Sequence, residues 1–474
     1  MAMRVKEIIS ELVESQRDEL IDTVAQFIRI PSIEGPPLSG KPFGEPVDKA
    51  LNYALHLASQ LGFKTRNLDG YIGYAEYGRG EELVGVLTHV DVVPEGKKED
   101  WKFPPFGGIV QDGIVHGRGS VDDKGPLVAV LYGLKALKDA GLPVTKRARV
   151  LFGTNEESGW GGMNYYLEHE VVPSCAFSPD GMFTVVNREK GITVVALKRK
   201  FSSPQHHDIT LRSLFGGTAH NVVPDYAEAV LSVEENQRAT VLNLYEAFKT
   251  EHPEFDVALE EKKGEVVVRA HGEAAHAMAP EQGKNAIAQL LRFLSGLPCE
   301  GQSAMEFIRL LDSEVGLDYT GRSLDMEWHD EVSGSLTLNL GTIRGDETGA
   351  EAMLDIRSPV SYECDQVVEA LQANFRDSST EVVVKTRKEP LYVPADHPLV
   401  TTLTQVYEEV TGRKPVLHAI GGGTYARAMK NCVCFGSVYP DDEVTVHRAN
   451  ERVTIEDLIL NAKVYGQALF ALLK

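Results

Sequence analysis

The chain has 474 residues, too many for one ordinary hydrophobic core, so two domains are expected. Hydrophobic residues make up 43% and charged residues 25%, as in a globular protein, and the formal net charge is −21. That balance argues against nucleic acid and anionic membrane as main partners, and no apolar run approaches the ~20 residues of a membrane span.

In chain order, roughly the first 30 residues carry helical apolar spacing that ends at Pro31. This stretch lacks the apolar core and small-residue cleavage site of a secretory signal. The five cysteines (Cys175, Cys299, Cys364, Cys432, Cys434) are odd in number and scattered, so a disulfide framework is not expected and a cytoplasmic location is. A second helix is expected over 47–61. Turn-rich and strand-like segments lead to LVGVLTHVDVV. Residues 124–140 are again helical, with apolar Leu127, Val130, Leu131, Leu134 and Leu137. ARVLFGT (strand), GGMNYYLEHE (helix) and SCAFSPD (strand) follow.

Strands alternating with helices predict an α/β fold with a mixed, mostly parallel sheet flanked by helices. From about 191 to 387 the pattern changes to ITVVALK, HDITLRS, AEAVLSV, EVVVRA, GSLTLNLGTIR, EAMLDIRS and EVVVKT. Helices at about 238–251, 285–294 and 364–374 interrupt these strands. The α/β pattern resumes near Leu399 with a helix, the strand VCFGSVY and a last helix over 455–472. The expected organisation is a discontinuous domain, 1–190 and 388–474, around an inserted α+β domain, 191–387.

The acids and histidines of the first domain follow its predicted strands. His89 closes VGVLTH, Glu156 and Glu157 follow RVLFGT, and Asp180 follows CAFSP. Ligand sites of such sheets lie at the carboxyl ends of strands. Two cations close together need a bridging carboxylate, and Asp122 in GRGSVDDKG is the natural candidate. The competing reading is that Asp122 and Asp123 cap the helix starting near Lys124. Of Glu156 and Glu157, one suits metal binding and the other general-base work. Asp91 is placed to accept the free ring N–H of His89. His447 in VTVHRANERV is a further imidazole. In the insert, His276 of HGEAAHAMAPEQGKNA could stabilise an oxyanion, with His271 as its competitor. Asn221 and Arg357 complete the polar set, the guanidinium being suited to a carboxylate. Gly421, Gly422 and Gly423 in IGGGTYAR offer amides for carboxylate capture, whereas a phosphate loop would need a following Gly-Lys-Ser/Thr.

LTHVDVVP, GRGSVDDKG, TNEESG, SPDG, HAMAPEQGKNA, LDIRSP, IGGGTYAR and VHRANE, in this order, resemble the di-metal exopeptidase family of carnosinases, aminoacylases and carboxypeptidase-G-like enzymes. The likeness is strongest to its bacterial peptidase-V-like dipeptidase branch. It implies a metal-dependent dipeptidase acting on unblocked dipeptides, with Xaa-His and β-Ala-Xaa types among them. Asp122 would bridge two divalent ions, His89 and Asp180 would hold one, and Glu157 and His447 the other. Zinc is the first choice, with manganese or cobalt as alternatives. Glu156 would be the general base and Asp91 would orient His89, while the Asp122–Asp123 peptide would be cis. The insert becomes a lid. Its His276 and Asn221 would bind the oxyanion, and Arg357 with Gly421, Gly422 and Gly423 the dipeptide carboxylate. The large lid implies a monomer, with a dimer left open. The alternatives are an N-acyl-amino-acid deacylase or desuccinylase and, third, a non-catalytic metal-dependent binding protein.

Overall fold

A computed structural model of the chain describes residues 2–202, 207–299, 301–376 and 378–474. Its packing forms two compact units: 1–187 with 392–418 and 423–474, and 188–391 with 419–422.

The first unit is built on a mixed sheet. Six neighbouring strands of it run in the order Lys64–Leu68, Ile72–Tyr77, Arg147–Gly153, Leu83–His89, Cys175–Ser178, Cys432–Cys434, and Val185–Glu189 continues it antiparallel beyond the last. The last four of the six are mutually parallel, and the Lys64–Leu68 and Ile72–Tyr77 strands are antiparallel additions. Every residue of Leu83–His89 is buried, as is nearly all of Arg147–Gly153. Parallel strands covered on both faces need such continuous apolar runs, because helices occupy both sides. Helix Lys124–Asp139 lies against the last helix, Ile455–Leu473, at a glycine contact. A Cβ on Gly133 would sit 2.6 Å from the Ala462 carbonyl oxygen and 2.8 Å from the Gly466 nitrogen. Only a residue without a side chain permits that approach. The N-terminal helical stretch differs from expectation in being two helices, Ala2–Ser15 and Arg17–Ile28, broken at Gln16. A small antiparallel sheet joins Arg452–Thr454, Ile114–His116 and Ile109–Gln111, drawing the segment after His447 to the segment before Asp122.

The second unit centres on an eight-stranded antiparallel sheet. Its order is Asp256–Lys262, Glu265–His271, Tyr226–Val233, Ile209–Gly216, Thr337–Asp346, Gly349–Ser358, Gly191–Lys200, Glu381–Lys388. Tyr226–Val233 alternates buried and half-buried residues, the signature of a sheet covered on one face. Helix Ala286–Ser295 supplies a nearly continuous apolar surface to its core.

Candidate active site

Parallel pairing puts three strand ends on one edge of the first unit's sheet. His89, the last residue of its strand, pairs with Gly153, the last of the neighbouring one. Glu156 and Glu157 follow Gly153 by three and four residues, and Asp180 follows the Cys175–Ser178 strand by two. Asp122 and His447 arrive on loops from elsewhere in the same unit. His447 adopts the left-handed conformation, φ 60°.

These side chains meet. His89 Nε2 lies 3.0 Å from Asp122 Oδ1 and 3.9 Å from Asp180 Oδ2. His447 Nε2 lies 2.9 Å from the other Asp122 oxygen, Oδ2, and 3.2 Å from Glu157 Oε2. Asp122 thus stands between two imidazoles with one oxygen toward each. Two sets of potential ligand atoms fall within 4.8 Å of one another: His89, Glu156 and Asp180, and His89, Asp122 and Glu157. The Asp122–Asp123 peptide is cis. Asp123 does not cap helix Lys124–Asp139 with its side chain. It is buried and accepts the His89 main-chain N–H at 3.2 Å instead. The orientation of His89 also differs in detail from expectation. Its Nδ1 is closer to the main-chain carbonyl of Asp91, 3.0 Å, than to the Asp91 carboxylate, 3.5 Å. The Asp91 carboxylate accepts the Glu157 main-chain N–H at 3.1 Å, so it also steadies Glu157.

The electrostatics ask for cations. Burial pushes the Glu156 carboxyl well up, and the charges of Asp180 and Glu157 add to it against the opposing influence of His89. Burial and Asp122 push Asp180 up to about 7. Hydrogen bonds that His447 donates to Asp122 and Glu157 push its imidazole up to about 11. Burial opposes charge on His89, yet Asp122 and Asp91 hold its imidazole well above the ordinary range. Crowded carboxylates thus draw protons onto both imidazoles and onto one another. His89 Nε2 and Asp122 Oδ1 are buried and make no hydrogen bond despite facing each other. Orphaned buried atoms of this kind are rare unless something else partners them. Imidazole nitrogens and carboxylate oxygens in this arrangement fit divalent cations, which displace protons from such ligands.

The expected lid residues lie in the second unit, except Gly423, which lies in the first. Asn221 and His276 sit on adjoining segments. Val222 and His276 form a β-bridge, and the Ala277 N–H donates to the Asn221 carbonyl at 2.9 Å. The Met278 N–H donates to His276 Nδ1 at 3.1 Å, which makes Nδ1 an acceptor and puts the ring proton of the neutral imidazole on Nε2. Gly421 touches the same segment, since a Cβ there would lie 2.6 Å from Met278 Cβ. His271 ends the strand Glu265–His271. Arg357 differs from expectation. Its Nε and Nη2 are engaged by Asp355, at 2.5 and 2.9 Å, and its Nη1 donates to the Gly421 carbonyl at 2.9 Å. The fork that would clamp a ligand carboxylate in two-point fashion is already on a buried aspartate, which also takes His220 Nδ1 at 2.9 Å.

Three residues of these clusters escape the sequence reading: Tyr425, His220 and Asp355. Asp355 carries a legible signal, because it stands two before Arg357 on one strand and so shares its face. Tyr425 is buried with its ring edge-on to His89, centroids 6.3 Å apart. No local pattern distinguishes it from a core tyrosine.

Comparison with known proteins finds the following. Residues 85–471 match Peptidase family M20/M25/M40. A Bacillus subtilis (strain 168) protein named "Putative dipeptidase YtjP" is 38% identical over 473 residues, covering 97% of this chain and 98% of its own. Among solved structures, human carnosine dipeptidase 1 is similar in fold, with a TM-score of 0.59 at 14% identity over 98% of each chain. The Saccharomyces cerevisiae dipeptidase Dug1p gives a TM-score of 0.58 at 13% identity, again over 98% of each chain.

Proposed function

The chain belongs to peptidase family M20/M25/M40, and from that premise we propose that it is a metal-dependent dipeptidase that cleaves unblocked dipeptides. The observation that carries this reading is Asp122 between His89 and His447, with Glu157 and Asp180 completing the set and Glu156 beside it. The dipeptidase name of the 38% identical relative, matched over 98% of its length, supports the substrate class.

His89, Asp122 and Asp180 would hold one divalent cation, and Asp122, Glu157 and His447 a second. Imidazole favours zinc and the carboxylate majority favours manganese, and zinc is the first choice. When bound, such ions polarise the peptide carbonyl and make water acidic enough to lose a proton near neutral pH. Glu156 accepts that proton from the attacking water and passes it to the leaving amine nitrogen. Asp91 keeps His89 and Glu157 in place through one carbonyl and one carboxylate contact. His276, protonated on Nε2, donates to the tetrahedral oxyanion together with Asn221. The Gly421, Gly422 and Gly423 segment takes the dipeptide carboxylate. Arg357 braces that segment through the Gly421 carbonyl.

No helix among the described residues is long and apolar enough to cross a membrane. The few, scattered cysteines favour the cytoplasm, and the large inserted unit favours a monomer with a dimer left open. The deciding experiment pairs metal analysis with a substrate panel: Xaa-His and β-Ala-Xaa dipeptides, other unblocked dipeptides, and N-acetyl and N-succinyl amino acids. Turnover of unblocked dipeptides with bound divalent metal is expected. Turnover confined to the acylated substrates would replace the proposal with a deacylase.

A further inference from the structure

His447 is followed four residues later by Glu451, whose carboxylate is completely buried. Its Oε2 accepts Arg118 Nη1 at 2.6 Å. Its Oε1 faces three main-chain N–H groups of one loop: Gly119 at 3.1 Å, Val121 at 2.9 Å and Asp122 at 3.2 Å. The Glu451 carbonyl accepts the Gly117 N–H at 3.0 Å. Arg118 in turn reaches the Pro94 carbonyl, 3.4 Å from Nη2, and lies over the Trp101 ring, 5.4 Å from its centroid. Three segments therefore converge on one ion pair. They are the segments that deliver His89 with Asp91, Asp122, and His447.

The geometry suits alignment rather than charge supply. Glu451 directs its oxygens at backbone amides and a guanidinium, and Arg118 matches its charge. Charge-assisted bonds to the Gly119, Val121 and Asp122 amides fix peptide planes of a glycine-containing loop that has little intrinsic rigidity. One of those planes carries Asp122, whose two oxygens must face two different imidazoles.

We propose that Glu451, clasped by Arg118, is a positioning residue that holds Asp122 and the His447 loop in register and thereby sets the affinity of the centre for divalent cations. This inference rests on the reading of His89, Asp122, Glu157, Asp180 and His447 as ligands. Without the clasp, the Asp122 and His447 loops must be ordered at the moment of metal binding, which weakens it. Loss of such outer partners typically lowers metal affinity by about 10–100-fold.

The test uses the full chain, with Zn²⁺ and Mn²⁺ titrated against a competing chelator and the metal-free melting temperature measured in parallel. Glu451→Gln keeps an oxygen for the amides but removes the charge that Arg118 requires. It should weaken metal binding by about 10–100-fold. Should that variant fail to fold, Arg118→Lys, which keeps the charge and loses the fork, should weaken binding in the same direction. Unchanged metal affinity in a folded Glu451→Gln or Arg118→Lys protein, whatever happens to its melting temperature, overturns the proposal. Asp122→Asn separates the two levels of inference. If it binds metal as tightly as the wild type, the ligand reading itself is wrong and the clasp falls with it. If it loses metal while Glu451→Gln does not, only the clasp is wrong.

Discussion

Two buried aspartates, one in each unit, show opposite solutions to the same problem. Asp355 is fully buried and satisfied: Arg357 gives it two hydrogen bonds and His220 a third. Burial alone would raise its carboxyl, but His220 and Arg357 hold it below the ordinary carboxylate range. Asp122 is also buried, with imidazoles on both sides, yet it shares its surroundings with Glu157, Asp180 and Glu156. The two imidazoles hold its own carboxyl low against burial, as His220 and Arg357 do for Asp355, but its neighbours Glu157 and Asp180 are forced upward, and one of its oxygens makes no hydrogen bond. A buried charge is stable when the protein supplies its counter-charge. The second unit supplies one internally, whereas the first leaves a deficit that a cation fills. Burial of an acid therefore does not by itself mark a site, while burial of several acids without matching cations does.

The contrast can be broken at four points. The largest effect should come from Glu156→Ala, with kcat reduced by about 10⁴-fold, the upper range for a general base, and metal content intact. Elemental analysis showing metal lost from this variant would move Glu156 into the ligand set. Next is Asp355→Asn, which strands the Arg357 charge in a buried position. It should cost about 3–5 kcal/mol of stability by denaturant unfolding and leave metal stoichiometry unchanged. Loss of metal from Asp355→Asn would erase the distinction between the two aspartates. His276→Ala should lower kcat by about 10²–10³-fold, the range for removal of an oxyanion donor. Steady-state kinetics with unchanged kcat would remove it from the reaction. The smallest effect is that of chelation. If free metal stands at about 100 times its dissociation constant, stripping a single site should remove about 2.7 kcal/mol of stability. Calorimetry should show the same loss in Asp355→Asn as in the wild type, because that aspartate has no part in holding the ions.

Much of this was legible from local pattern. LVGVLTH and RVLFG are continuous apolar runs, so both read as buried strands, and the acids and the histidine at or just past their ends are where parallel sheets bind ligands. Other elements were less legible. Strand Asp256–Lys262 is not among the expected strands, because it edges its sheet with Val257 as its one fully buried residue and four charged side chains. The Ser303–Glu314 helix is likewise absent from the expected elements, although Met305, Ile308 and Leu311 share a helical face. The break at Gln16 had no glycine or proline to announce it.

What the amino-acid order determined by itself is which residues end strands, which loops carry acids and imidazoles, and which chemistry that combination can perform. Strand and helix periodicities are local, and so are the turn residues that stop them. Tertiary structure alone decided which oxygen meets which nitrogen: that Asp91 offers His89 its carbonyl, that Asp355 occupies the Arg357 fork, and that Glu451 gathers amides near Arg118, 333 residues earlier in the chain. Those pairings depend on the mutual placement of loops fixed by sheet register and helix packing, and no short-range pattern encodes them.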